Sequence, residues 1–413
     1  MAERRRVAIT GIGAVTPIGI TRDGLWDGLH AYRSAVRDIT RFDASIYHSR
    51  IAAEIDFNAS DFLEQRRLKR LDRFGHFTVT AARLAIEDAR LDLAAEDRER
   101  VGSTMGTALG GVAYAEEQFR TFTREGLKSV SASLATNVFG GAASCNVAIE
   151  FGVQGPNCTN AMSCASGTMA IGEGFRLIRD GYADVMISGG AEAPLNQLCF
   201  GAFAIIRAMS TRNDDPAHAS RPFDRGRDGF VMGEGASVLL LEELERAKSR
   251  GAHIYAEVAG YAFCNDAHHM TAPRPDGSQA ARAMRGALHD ADVAPHEIGY
   301  VNAHGSSTPL NDPTETLAIR SVFGEHASRL PVSSTKAYYG HALGASGAME
   351  AAICALSLER DWLPPTLNFE QPGDGCDLDY IPGTGRAAHI DYALNNSFGF
   401  GGINAALVMK RAE

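Results

Sequence analysis

The segment SGTMAIGEGFRLIRD at 166–180 is echoed by SGAMEAAICALSLER at 346–360, a shift of about 180 positions. Both copies carry the spacing of a helix buried on most sides and entered through glycine and small side chains. The echo predicts a chain built as two related halves. The residues just before each helix, NAMSCA in one half and GHALGA in the other, then occupy equivalent places facing a common centre.

The rest of the pattern fits such a duplication. Short β-type runs (RRVAITGIG, ADVMISGG, ASVLLLEEL, IGYVNAHG) alternate with helical stretches such as FTVTAARLAIEDARL and AARAMRGALHDA. That alternation predicts an α/β fold with parallel or mixed sheets covered on both faces. A charged helix end followed by a fresh strand, RAKSRGAHIYAEVAG, marks the boundary between halves at 1–253 and 254–413.

Several functions are excluded at this level. A formal net charge of −10 argues against nucleic acid, whose recognition needs a dominant basic face. No stretch has the length of an apolar membrane span, and the start runs straight into a strand-like segment, so a cytoplasmic protein is expected. The seven cysteines show no CxxC pair, which indicates neither a zinc site nor a dithiol redox motif. The opening GIGAVTPIG has Thr16 where a dinucleotide motif needs its third glycine, so no nicotinamide site is expected. The adjacent His268 and His269 do not make a metal pair, because consecutive residues rarely point at one ion.

Cys164 stands where small residues give way to a helix. The helix dipole and unpaired backbone N–H groups there favour a thiolate, and the sulfur is expected to be held ionised. His304, in VNAHGSSTP, follows a strand and projects from its carboxyl end, where α/β proteins place ligands. His341, in YYGHALGASG, precedes the second copy of the repeated helix. A cysteine with two histidines, all in Gly/Ser-rich turns, is a nucleophile constellation.

With these motifs in order, the chain resembles the β-ketoacyl-acyl carrier protein synthases, condensing enzymes of the thiolase superfamily. The match runs from VAITGIGAVTPIG through SCASG, SRPFDRGRDGFVMGEGA, VNAHGSSTPLNDPTE and SSTKAYYGHALGASGAMEA to NNSFGFGGINAAL. It implies a thiolase-like fold of two pseudo-duplicated αβαβα halves forming a five-layered core. The segments SRIAAEIDF and CDLDYIP are closest in flavour to ketosynthase subunits of bacterial type II polyketide systems; the alternative is housekeeping fatty-acid elongation. A thiolase would use a second cysteine near the C-terminus, where this chain has none beyond Cys376. A non-catalytic chain-length factor would lack Cys164.

The resemblance implies that Cys164 accepts the acyl chain and that His304 and His341 serve decarboxylation of the malonyl unit. Lys336 supports the histidines, with Glu350 as its partner. Backbone N–H groups of Cys164 and Phe400 form an oxyanion hole, and the Phe400 side chain is a gate. Thr271, Ser306, Thr308, Phe230, Phe203 and Leu109 are implied to contact the acyl and phosphopantetheine chain. No cofactor or metal is implied, since phosphopantetheine arrives on the acyl carrier protein. The partners implied are that carrier and a second subunit, in a homodimer or in a heterodimer with a chain-length-factor-like chain. A basic cluster of Arg66, Lys69, Arg70 and Arg73 reads as one face of a helix. With Arg207 and Lys128 it is the expected docking site for the acidic carrier.

Overall fold

The computed structural model describes residues 4–413. The first half supplies strands β1 (Val7–Thr16), β2 (Val101–Gly106), β3 (Asn157–Asn160), β4 (Val185–Glu192) and β5 (Gly235–Glu243). The second supplies β6 (Ala256–Asn265), β7 (Ile298–Asn302), β8 (Val332–Ser333), β9 (Tyr392–Gly399) and β10 (Ile403–Arg411). Their spatial orders are β3-β2-β4-β5-β1 and β8-β7-β9-β10-β6, the same permutation twice. The pairings repeat as well, parallel around the second strand of each set and antiparallel toward the first. The two sets join where Val7–Ile9 of β1 pair antiparallel with Ala256–Val258 of β6.

Helices α1 (Arg73–Asp88), α2 (Ala142–Phe151) and α3 (Ser166–Arg179) belong to the first half, and α4 (Ser278–Ala291), α5 (Asn311–Phe323) and α6 (Ser346–Arg360) to the second. The repeated helices α3 and α6 form the middle layer, packed on each other and on both sets of strands. This explains why Ser346–Leu358 is buried without interruption, a pattern a helix covered on one side cannot show. The close approach depends on the glycine of each copy. A Cβ on Gly167 would lie 2.8 Å from Ala348 N, and one on Gly347 would lie 2.1 Å from Thr168 Oγ1. Thr168 and Ser397 share a 2.7 Å hydroxyl contact across the halves.

The basic stretch at 65–73 does not form the single helical face expected of it. A one-turn helix, Gln65–Leu68, ends early. Helix α1 then starts afresh, with the Asp72 side chain accepting from Gly75 N. Arg73 turns inward and grips Glu234 through Nε at 2.9 Å and Nη2 at 2.6 Å. An N-capping aspartate and a buried acid thus break the run, leaving Arg66, Lys69 and Arg70 exposed.

Candidate active site

Cys164 lies in the 3₁₀ turn Ser163–Ala165 that leads from β3 into α3. Its sulfur is buried in an apolar cluster with Ala52, Leu195, Phe200, Phe230 and Leu343. The helix start is where the repeat placed it, but burial opposes the thiolate expected there. Burial pushes the Cys164 thiol up to about 11, against the opposing pulls of Ser163, the Lys336 charge and the Phe400 N–H. Desolvation outweighs the favourable dipoles, a balance the sequence does not display.

His341 comes from the turn preceding α6, and its Nε2 is 3.0 Å from Cys164 Sγ. Its Nδ1 meets Ser346 Oγ, the first residue of α6, at 2.8 Å. The His304 ring, arriving from the carboxyl end of β7, lies 5.4 Å from that of His341 at 81°. Burial, reinforced by the nearby Lys336 charge, holds both imidazoles well below their usual range. They are therefore neutral near pH 7, each carrying one N–H and one open nitrogen.

The main chain of His304 is clamped from both directions while its ring is left free. Glu315 accepts from His304 N at 2.9 Å and from Gly305 N at 2.8 Å. Lys336 Nζ donates to His304 O at 2.6 Å and to Glu350 in a short ion pair. His304 Nδ1 is buried without a hydrogen-bond partner. Burial pushes both Glu315 and Glu350 up to about 7.

The three side chains line one cavity of about 300 Å³, together with Phe203, Phe230, Thr271, Ser306, Thr308 and Phe400. Phe400 stacks on Phe203, which meets Phe230 edge to face, and Phe230 in turn abuts the His341 ring at 5.4 Å. The Phe400 loop is pinned by Gly401 N donating to Met270 O at 2.7 Å. Thr271 sits at the exposed mouth, held by its N–H donating to His269 Nδ1 at 3.1 Å. Arg207 is exposed at the rim of the same cavity.

Leu109 lies outside this cavity and packs against the apolar cluster that holds Cys164, with its N–H donating to Glu192 at 3.1 Å. Lys128, on the turn Leu127–Ser129, is exposed and, like Arg66, Lys69 and Arg70, lies outside the cavity. Among the described residues no group of three or more His, Cys, Asp or Glu side chains is placed to hold a metal ion. No helix there is long and apolar enough to cross a membrane.

The sequence reading missed three residues that build this site: Glu315, Ser346 and Glu192. Glu315, in NDPTETL, lies on a helix whose buried face includes Thr316, Ile319 and Val322. An acid beside that face is the one signal that pointed to it.

Comparison with known proteins matches residues 4–247 to the beta-ketoacyl synthase N-terminal domain and residues 255–370 to its C-terminal domain. A 3-oxoacyl-acyl-carrier-protein synthase 2 from Synechocystis is 48% identical over 412 residues, covering 100% of this chain and 99% of that protein. A solved type II polyketide ketosynthase, bound to the hexaketide and in complex with its acyl-carrier protein, superposes with a TM-score of 0.92 at 36% identity, covering 99% of this chain and 100% of that one. The ishigamide ketosynthase/chain length factor superposes at 0.93 with 35% identity and the same coverage.

Proposed function

The chain belongs to the β-ketoacyl synthase family, and from that membership we propose a decarboxylative condensation of malonyl-acyl carrier protein with an acyl chain held on Cys164. The observation that carries this reading is the 3.0 Å approach of His341 Nε2 to Cys164 Sγ at the floor of a cavity shared with His304.

The resting pair is neutral, so loading begins with proton transfer. With its Nδ1–H directed at Ser346 Oγ, His341 receives the thiol proton on Nε2 as the sulfur attacks the acyl carbonyl. The proton then passes to the departing phosphopantetheine thiolate, and the net exchange is one thioester for another. Main-chain N–H groups of Cys164 and Phe400 hold the transient oxyanion, in a turn where a Cβ on Gly399 would lie 3.1 Å from Cys164 N.

The malonyl thioester follows. Breaking its bond to the carboxylate releases carbon dioxide and leaves the electron pair on an enolate, whose oxygen takes hydrogen bonds from the two imidazoles, His341 now as its Nε2–H tautomer with Nδ1 accepting from Ser346 Oγ. Preorganised donors of this kind stabilise developing charge by roughly 3–4 kcal/mol each. The enolate carbon then attacks the acyl carbonyl, the Cys164 sulfur leaves as a thiolate, and it takes up one proton from solvent. Lys336 and Glu350 act by fixing the main chain of His304. Phe400 screens the sulfur until a chain enters, and Thr271, Ser306 and Thr308 supply hydroxyls along the pantetheine path. No cofactor of the enzyme's own takes part.

The carrier docks at the exposed cations Arg66, Lys69, Arg70, Lys128 and Arg207, which suit an acidic partner. Phe119, Phe122, Phe139 and Ile149 expose apolar surface in the first half, whose sheet ends at β3. A second chain of this fold, a copy or a chain-length-factor subunit, covers that face. The likeness to type II polyketide ketosynthase structures supports polyketide elongation as the first reading. The 48% identity to a 3-oxoacyl-acyl-carrier-protein synthase 2 favours fatty-acid elongation as the second reading.

Intact-mass spectrometry after incubation with a series of acyl-carrier thioesters tests the proposal. One acyl group should add to the wild-type chain and none to Cys164→Ala. Equal loading of both proteins would refute the assignment, and the longest chain accepted separates the two pathway readings.

A further inference from the structure

The interface between the halves holds one acid that the mechanism above does not use. Glu192, the last residue of β4, is fully buried and lies outside the cavity. Four donors converge on it. Oε1 accepts from Thr107 Oγ1 at 3.0 Å and from Leu109 N at 3.1 Å; Oε2 accepts from Ala108 N at 2.6 Å and from Gly344 N at 3.0 Å.

These donors come from opposite sides of the active site. Residues 107–109 follow β2, and Thr107 O accepts from Ser166 Oγ at 2.9 Å, the residue heading the helix behind Cys164. Gly344 stands three residues after His341. The loops leave no slack, because a Cβ on Gly344 would lie 2.4 Å from Ala108 N and one on Gly190 would lie 2.8 Å from Gly344 O.

We infer that Glu192 is a positioning residue whose carboxylate ties the Cys164 half to the His341 half and thereby sets the sulfur–imidazole distance. It touches no reacting atom and acts through two loops. The inference rests on the condensing reading above and extends it.

Glu192→Gln is the discriminating substitution. It keeps the volume, yet either orientation of its amide turns an NH₂ toward main-chain N–H groups, Leu109 on one side or Ala108 and Gly344 on the other. A small misplacement of reacting groups is enough to cost about 10- to 100-fold in rate. Loading of Cys164 and malonyl decarboxylation, measured separately, should both fall by that factor in kcat. KM for the carrier thioester should stay within about twofold, and Glu192→Asp should recover part of the loss.

Thr107→Val keeps the shape but removes the hydroxyl that donates to Glu192 and accepts from Gly110 N at 2.8 Å, so it remains informative if Glu192→Gln does not fold. It should slow both half-reactions about two- to fivefold, more than its loss of melting temperature alone accounts for. A folded Glu192→Gln with wild-type kcat in both half-reactions overturns the inference. So does a loss in Gln and Asp variants alike that only follows their melting temperatures, or a Thr107→Val enzyme with full activity. Cys164→Ala, run alongside, separates the two levels: loading of that variant would refute the condensing reading itself, whatever Glu192 does.

Discussion

The turns Ser163–Ala165 and Leu343–Ala345 occupy the same place in the two halves, and each carries one residue with positive φ, Ser163 at 52° and Leu343 at 42°. Both are 3₁₀ turns, and each leads into a helix that begins Ser–Gly. From there they diverge. In the first half the middle residue is Cys164, its sulfur among apolar side chains. In the second it is Gly344, with no room for a Cβ and with its N–H committed to Glu192. The leading serines differ too: Ser166 Oγ bonds Ser163 O at 2.7 Å, whereas Ser346 Oγ meets His341 Nδ1 at 2.8 Å. One scaffold occurs twice, and the proposed mechanism divides the chemistry between the copies, with the nucleophile on one and proton-handling groups on the other. Non-glycine residues in left-handed backbone cost about 1–3 kcal/mol, and both turns carry that cost at the same position.

The sharpest way to break this division is to remove the histidines one at a time. His304→Ala should lower malonyl decarboxylation by roughly 100- to 1000-fold, the usual cost of losing one preorganised donor. It should leave acyl loading of Cys164 within about threefold, because His304 is not the imidazole in contact with the sulfur. His341→Ala should depress both steps, since its Nε2 stands 3.0 Å from that sulfur. Single-turnover loading and carbon dioxide release report the two steps separately. Identical profiles for the two variants would show that the pair works as one unit, with no division between them.

The contrast between the turns also marks how much could be read from the chain itself. The repeat at 166 and 346 disclosed the duplication, and the Gly/Ser-rich contexts of Cys164, His304 and His341 singled out three side chains that the fold brings together. Such contexts are local, and so they are legible. Glu192 and Glu315 were not, because what makes them notable is burial between segments far apart in sequence. The misread helix at 65–73 had a readable correction in LDRFG, since an aspartate ahead of an apolar run signals a helix start. The ionisation of Cys164 was the deeper miss. A helix start argues for a thiolate and burial argues against it, and only packing reveals which is larger.

A test of intermediate size probes the shared scaffold. Gly347→Ala and Gly167→Ala insert a methyl group into the same α3–α6 crossing from opposite sides, at 2.1 Å from Thr168 Oγ1 and 2.8 Å from Ala348 N. Overpacking of a tight interface costs typically about 1–3 kcal/mol, so both variants should melt earlier. Gly347→Ala should do so by more, its contact being the shorter. A denaturant series on the two proteins checks this. Unchanged midpoints would mean that the crossing tolerates separation and that the glycines do not fix it.

The smallest effect is a slope, and it bears on the thiol directly. With the Cys164 thiol raised to about 11 by burial, the thiolate fraction at pH 8 is roughly one in a thousand, growing about tenfold per pH unit. Alkylation of the free enzyme by iodoacetamide, followed at Cys164 by peptide mass spectrometry, should therefore accelerate steadily from pH 7 to pH 10. An ion pair with His341 would instead give a rate already flat above pH 7. The two histidines decide between these outcomes in the same direction, because burial holds their own protonation well below the usual imidazole range. Neither ring keeps a proton at pH 7 without a thiolate beside it, and desolvation disfavours both members of such a pair. In the proposed mechanism the thiol therefore stays neutral until an acyl thioester arrives, and the transfer itself moves the proton to Nε2. A rising profile supports this order of events, and a plateau between pH 7 and pH 9 would place the charge separation before substrate binding.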